Sequence, residues 1–501
     1  MRAPAWSASE RKHFRWCLAS SAFLFVVYAL FSTGYLHPDE YFQTVEFASS
    51  KLGITDTAEL PWEYQEKMRS WLQPALYVAV GEVAEAVGIR RPMVLLFVFR
   101  FVTGLVAWSA LWTLIIAGRR WIDGEEQRRH LYSIAALLWL LPLLGVRTSG
   151  ETLATAALCF AIASLEWRTD LQDRTLRFFA AVLGGMALGL CFGLRYPSGV
   201  MAVGAGLWYL YSTRQRLSLF TGLALGTTLA LALGVIVDRW GYGTTTFPVY
   251  SYLYQNFIAG KAAAFGVLPF FGYLYLPLKN PMAPVALLLV VATLTAWVRR
   301  PCSALTWASA PYVALLCIPA HKETRFLYPL APFLPFFVVF ALAPGPSARF
   351  ASPFKWLASG RRLHLSYFWN ACGLLSVLFV SPTFAFYQLL ETKSYATQGI
   401  LEVAVVHPPG AKPYWAFGLH QAFLEPKNLR LTPASVSALE ARRARGETFL
   451  AIVHSPRLVP EPAAWLRSRC TRVSSSRPMW LEPYDYFQWQ ERSAWMELYA
   501  C

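Results

Sequence analysis

Up to about residue 388 the chain alternates long apolar runs with short charged or turn-forming clusters, the runs falling near 19–36, 93–117, 131–146, 151–166, 178–194, 198–212, 217–237, 281–298, 303–320, 326–343 and 367–388. Crossing a bilayer takes about 20 apolar residues as a helix, whereas barrel strands are shorter and alternate. The pattern therefore predicts an all-α polytopic membrane protein with about eleven transmembrane helices; a re-entrant segment within 247–278 would change that count. The first run follows Arg11, Lys12 and Arg15 and lacks a small-residue cleavage site before His37–Glu40, so it reads as a retained helix. After 389 the pattern changes to turn clusters such as His407-Pro408-Pro409-Gly410, a charged helical stretch at Ala434–Arg445 and a strand-like Phe449–His454. Two domains are expected: 1–388, membrane-embedded and including an outer-face loop at 37–92, and 389–501, a small soluble α/β domain.

Composition agrees: of 501 residues 56% are hydrophobic and 15% charged, which excludes an ordinary soluble enzyme. The net charge of +16 raises a nucleic-acid partner, but most basic residues flank apolar runs, where they orient helices. Arg11/Lys12/Arg15, Arg119/Arg120/Arg128/Arg129, Arg168/Arg174/Arg177, Arg214/Arg216, Arg299/Arg300 and Lys355/Arg361/Arg362 occupy alternate loops, which assigns them to the cytoplasm. Segments 37–92, 147–150, 195–197, 238–280, 321–325 and everything after 389 then face the lumen or periplasm. Six of the eight cysteines lie in or beside apolar runs without metal-ligand spacing, while Cys470 and Cys501 fall in the exported tail, where a disulfide between them is open.

Two outer segments concentrate the unusual polar residues. In His37-Pro38-Asp39-Glu40-Tyr41-Phe42-Gln43-Thr44-Val45-Glu46, Pro38 suits the first helical position, and Asp39, Gln43 and Glu46 share a helical face. These acids either complement the helix dipole or form part of a site. In His321-Lys322-Glu323-Thr324-Arg325-Phe326-Leu327-Tyr328-Pro329, cations gather where few are expected; they are either an ion pair around Glu323 or a phosphate clamp. Arg147, Glu151, Arg195, Tyr252, Gln255, Asn256 and Lys261 are further candidates to line a cavity, with structural hydrogen bonding as the simpler role for each.

These two motifs, with Trp62-Glu63 and Arg69-Ser70 between them, resemble glycosyltransferase family 22, the GT-C α-mannosyltransferases of lipid-linked oligosaccharide and glycosylphosphatidylinositol (GPI) assembly, and most of all the GPI mannosyltransferases of the third or fourth mannose. The resemblance covers roughly 19–345. It implies a GT-C fold and an inverting transfer of mannose from dolichyl- or polyprenyl-phosphate-mannose to a glycolipid or lipid-linked glycan acceptor. It also implies Asp39 as catalytic base, Glu40 shaping the site, and His321, Lys322 and Arg325 at the donor phosphate; His37, Gln43, Glu46, Arg147, Arg195, Tyr252 and Gln255 stand beside them as candidates to line the cavity, from their outer-face placement alone. Two stretches depart from the family pattern, Arg147-Thr148-Ser149-Gly150-Glu151 and Arg195-Tyr196-Pro197-Ser198.

One base suffices for inversion, and Lys322 and Arg325 can balance the leaving phosphate, so no metal cofactor is expected; Mg²⁺ or Mn²⁺ at Asp39/Glu40 is the alternative. A first-turn carboxylate should have a lowered pKa, which weakens Asp39 as a base. A transporter or flippase of a lipid-linked sugar, or a GT-C enzyme for another sugar, are the rival readings. Arginines outnumber lysines thirty-five to ten and no Asn-x-Ser/Thr sequon occurs, so a bacterial inner membrane stands beside the endoplasmic reticulum as a location.

Overall fold

The computed structural model describes residues 4–32, 35–261, 266–279, 282–343, 354, 356, 359–375, 389–394, 396–406, 428–454, 459–475 and 496–501. Its membrane part is helical: α1 (Ala8–Phe31), α2 (Glu46–Lys51), α3 (Trp62–Gln65), α4 (Leu72–Ala86), α5 (Pro92–Gly118), α6 (Glu125–Leu137), α7 (Leu140–Gly145), α8 (Gly150–Arg168), α9 (Arg174–Leu194), α10 (Gly199–Ser212), α11 (Arg216–Tyr242), α12 (Pro248–Leu253), α13 (Gly272–Tyr275), α14 (Ala283–Arg299), α15 (Ala304–Cys317) and α16 (Leu334–Leu342). Among the described residues five helical stretches are long and apolar enough to cross a bilayer alone: α1, Pro92–Trp121, α9, α11 and Thr324–Leu342. The chain is thus a multi-pass membrane protein. A helix overlaps every predicted apolar run, the last being Gly360–Leu375, and 376–388 lies outside the described residues.

Several runs are less regular than their hydropathy predicts. The run 131–146 divides into α6 and α7 at Leu138, whose backbone is extended. Thr324–Phe333 is a 3₁₀ helix because Pro329 and Pro332 remove backbone donors, and α-helix resumes at Leu334. α14 and α15 meet at 118°, where Pro301 breaks the chain and the Ser303 hydroxyl accepts the Thr306 N–H to start the next helix. α9 and α11 pack backbone to backbone: a Cβ on Gly185 would collide with Leu223, and one on Gly226 with the Val182 carbonyl.

The tail forms a five-stranded sheet of β1 (Leu401–Val406), β2 (Leu429–Pro433), β3 (Leu450–His454), β4 (Thr471–Ser475) and β5 (Met496–Ala500), in the order β2-β1-β3-β5-β4. β1 runs parallel to β2 and β3, and β5 antiparallel to β3 and β4. Alternation gives the sheet two apolar faces. Ala404, Val406, Ala451, Val453 and Tyr499 pack with Leu439 and Leu466 of its own two helices, Val436–Ala444 and Pro460–Arg469. Val403, Val405, Ile452 and Leu498 pack on Tyr41, Val45, Tyr77 and Phe99 of the outer loop and α5. The tail therefore braces the segment that follows Asp39. Cys470 and Cys501 form a disulfide, Cα to Cα 4.5 Å, joining the start of β4 to the end of β5. The predicted turn at 407–410 lies outside the described residues.

Candidate active site

The site starts at the turn after α1. Pro38 opens it, its carbonyl accepting the N–H groups of Tyr41 (2.9 Å) and Phe42 (3.1 Å). Adjacent residues of such a turn point apart, and the two acids divide accordingly. Glu40 is buried; it accepts the backbone N–H groups of Leu36 (3.0 Å) and His37 (3.2 Å) and lies 3.8 Å from Arg147. Burial pushes its pKa up against the lowering effect of Arg147 and the two N–H groups. Asp39 keeps its side chain 23% exposed and accepts from Arg325 and from Gln43 Nε2. Its backbone N–H donates to His37 Nδ1 at 3.2 Å. Burial acts to raise the Asp39 pKa, but the His37 hydrogen bond and the charges of Arg325 and Arg69 outweigh it and hold the carboxyl well below the usual carboxylate range.

Arg325 lies 286 residues further along the chain. Its Nη1 meets Asp39 and its Nε meets Glu323. Glu323 in turn lies 3.2 Å from His37 Nε2 and 2.7 Å from His321 Nε2, so a carboxylate joins both motif histidines. Burial raises the Glu323 pKa, but Arg325, His37 and the His321 hydrogen bond carry it below its ordinary value. The two sequence motifs thus form one clasp of Asp39, Arg325, Glu323, His37 and His321.

Not every candidate joins it. Lys322 donates to the carbonyls of Pro319 (2.5 Å) and Leu268 (3.4 Å), so its charge ties the turn to the segment before α13. Glu46 leaves the Asp39 face: Tyr41–Val45 form a π-turn, and its wider pitch rotates Glu46 toward Thr55 (3.1 Å) and Ser49. Gln255 donates to Glu66 (2.6 Å), Lys261 reaches the same carboxylate (3.4 Å), and Asn256 bonds the Tyr252 carbonyl (2.9 Å). Arg147 donates to Ser32 and the Leu143 carbonyl (3.3 Å) beside Glu40. Arg195 pairs with Glu151 at 2.9 Å, so the two stretches that depart from the family pattern are bound to each other.

Glu63 and Arg69 carry part of the family resemblance but, like Gln73, have no site role assigned, although an arginine in an outer loop is itself a signal. Gln43 also donates to Glu63 (3.2 Å), which accepts from Arg69 (2.6 Å), and the Arg69 guanidinium lies 5.4 Å from the Tyr252 ring. Gln43, Arg69, Gln73, Arg195 and Tyr252 line a polar cavity of about 30 Å³. The Oε1 of Gln73 has no hydrogen-bond partner among the described residues. Beyond the clasp a larger apolar cavity of about 300 Å³ is lined by Leu36, Trp139, Leu143, Phe271, Thr324 and Tyr328, among others. Leu36 adjoins His37 and Thr324 adjoins Arg325, so this chamber borders both motifs. An ionised carboxylate, a guanidinium and a lipid-sized apolar wall stand together.

The family model of Alg9-like mannosyltransferases matches residues 16–415. The chain belongs to that family. Among its relatives, the GPI mannosyltransferase 3 of Gibberella zeae is 26% identical over 346 residues, covering 60% of this chain and 55% of the relative. The GPI alpha-1,2-mannosyltransferase 3 of Danio rerio is 26% identical over 318 residues, 61% of this chain and 55% of the relative. This Alg9-like mannosyltransferase family member therefore spans just over half the length of those curated relatives. In fold it is similar to ArnT from Cupriavidus metallidurans in the apo state, with a TM-score of 0.53 at 12% identity over 97% of both chains. ArnT bound to undecaprenyl phosphate gives a TM-score of 0.50 at 12% identity, over 97% of this chain and 98% of the other. The family match over residues 16–415 covers both motifs of the clasp.

Proposed function

We propose that this Alg9-like family member is an inverting α-mannosyltransferase that moves mannose from dolichyl- or polyprenyl-phosphate-mannose onto a glycolipid or lipid-linked glycan, in the manner of a GPI mannosyltransferase. The observation that carries the reading is the Asp39–Arg325 contact beside the apolar chamber. The relatives' names support the sugar and the GPI acceptor, and the lipid phosphate held by ArnT supports the donor class.

Asp39 takes the proton of the acceptor hydroxyl as its oxygen bonds to the mannose anomeric carbon, and the carbon–oxygen bond to phosphate breaks with its electron pair on the leaving group. Arg325 uses Nη1 and Nε on the two carboxylates, which leaves its Nη2 edge for the phosphate, whose charge grows in the transition state. The negative charge of a phosphate beside Arg325 opposes the cations that hold the Asp39 carboxyl low, so donor binding makes Asp39 a better base. His321 orients Glu323, and Lys322 fixes the turn. The reaction is taken as metal-independent: Asp39 and Glu40 face different partners and do not converge on one ion.

We place the eleven crossings as predicted, with the site on the lumenal or periplasmic face of the endoplasmic reticulum or bacterial inner membrane. Domain 1–388 then carries the chemistry and 389–501 the brace. The test is transfer in detergent, with no membrane to cross. Purified protein given a radiolabelled polyprenyl-phosphate-mannose and a mannosylated glycolipid should yield a labelled, extended glycolipid, and Asp39→Asn should not. A transporter gives no product from either protein.

A further inference from the structure

Beyond the crossing helix α11, a short stretch has its polar and apolar faces reversed relative to a helix in water. α12 (Pro248–Leu253) runs directly into a π-turn (Tyr254–Ile258), together eleven residues and about 16 Å long. Phe247, Tyr250, Leu253, Tyr254, Phe257 and Ile258 recur every three or four positions and are between 44% and 72% exposed. The opposite face is polar and turned to the protein. There Gln255, only 7% exposed, donates to Glu66 at 2.6 Å, and Tyr252 lies between the Arg69 guanidinium and the Tyr196 ring, each 5.4 Å away. Left in water, these six side chains would forgo the stabilisation that removing their exposed apolar area from water supplies. An apolar face outward with a polar face inward suits lipid.

We propose that Phe247–Ile258 lies along the bilayer interface on the site's side of the membrane, with those six side chains in the boundary between headgroups and acyl chains. Three further observations select lipid over water or another protein. The surface is continuous with that of a crossing helix: Leu229, Leu233, Ile236 and Trp240 of α11 are exposed, and Phe247 follows five residues after the helix ends at Tyr242. Eleven residues are too few to cross the hydrocarbon but suffice to lie in its boundary. Two of the six are Tyr, whose amphipathic ring settles at membrane interfaces, and two are Phe, an apolar anchor of helices that lie in the interface.

A second exposed apolar run, Val267, Phe270, Phe271 and Leu274, follows in the chain, and the Leu268 N–H ties it to the Ala320 carbonyl at the outer turn (2.8 Å). Because the inner face is spent on Glu66 and Arg69 and the outer face carries no charge, attachment is by insertion and is independent of salt. The helix then holds Tyr252 beside Arg69 at headgroup level, where lipid-anchored substrates present their polar ends.

The test is photo-crosslinking of the full-length protein in phosphatidylcholine nanodiscs. Benzoylphenylalanine replaces Tyr250 or Phe257 on the outer face, or Asn256 on the inner face, and mass spectrometry reads the adducts. Positions 250 and 257 should carry a phospholipid adduct severalfold above position 256, unchanged in 0.5 M salt. Ile258, on the same face, serves where either replacement lowers the yield of folded protein. Equal lipid adducts at all positions, no adduct at 250 and 257, or crosslinks to a second copy would each overturn the proposal.

Discussion

Two carboxylate–arginine clusters stand at opposite ends of α1, and they are mirror images in stoichiometry. Near its start Glu10, with no exposed surface, is one carboxylate among three donors: Arg119 (3.1 Å), Arg128 (2.9 Å) and the Tyr132 hydroxyl (2.7 Å). Arg119 also packs on the Trp6 ring at 3.7 Å. Past its end one guanidinium, Arg325, faces two carboxylates, Asp39 and Glu323, whose side chains are 23% and 20% exposed. From Glu10 the helix runs 21 residues on to Phe31, roughly 32 Å, which sets the two clusters at its opposite ends. A saturated and sealed cluster has only one arrangement and works as a brace. An open cluster with acceptors in excess can exchange partners, and a site that takes in a phosphate and gives up a proton needs that freedom. Ion-pair chemistry alone does not distinguish brace from site; access and stoichiometry do.

Removing the brace should have the largest effect. Glu10→Ala leaves two buried arginines without their carboxylate, so stability should drop by about 3–5 kcal/mol. It would be read as a lower melting temperature and membrane yield, with unchanged transfer per folded molecule. Loss of transfer at normal yield would end the distinction between the two clusters.

Asp39→Asn keeps the shape and removes the base, so turnover should fall about 10²-fold or more with little change in yield, measured with saturating donor. Near-normal turnover would refute the assignment.

Arg325→Lys tests stacking of roles at one guanidinium. It keeps the charge but loses the fork that spans Asp39, Glu323 and the phosphate, so kcat/KM for the donor should fall on the order of tenfold. An unchanged kcat/KM would leave Arg325 as scaffold, like Arg128.

The smallest effect is on stability against pH. The folded pKa values of Asp39 and Glu323 are depressed, so the stability they contribute is complete above their unfolded values of about 4 and is lost as pH falls from there toward the folded values. Glu40, with its pKa raised, has the opposite sign: its contribution is complete below its unfolded value and is lost as pH rises through the folded one. Melting of the wild type between pH 3 and 6 should therefore fall off more steeply on the acid side than melting of Glu323→Gln. Identical slopes would remove Glu323 from the clasp.

Local rules were enough for much of this molecule, because span length, basic flanks and a proline-initiated turn are properties of neighbouring residues. Runs of about twenty apolar residues located the helices, and the change of pattern after 389 announced the sheet, whose β3 at Leu450–His454 nearly coincides with the strand read at 449–454. The motif His37–Glu40 was legible as an acidic helix start at a membrane edge, and only the family resemblance turned that into a reading of chemistry. The partner of Asp39 was not legible, because no periodicity relates positions 286 residues apart; the approach of Arg325 depends on how the 3₁₀ helix that carries it docks on α8 and α7. A single wide turn over Tyr41–Val45 carried Glu46 off the shared face that ordinary helical spacing assigns it. Lys322 and Arg325, three residues apart, were both assigned to the donor phosphate, yet one met two carbonyls and the other two carboxylates. Runs of apolar residues located the helices, but only packing decided whether a face meets lipid, water or another charge, because that depends on neighbours brought in from distant parts of the chain.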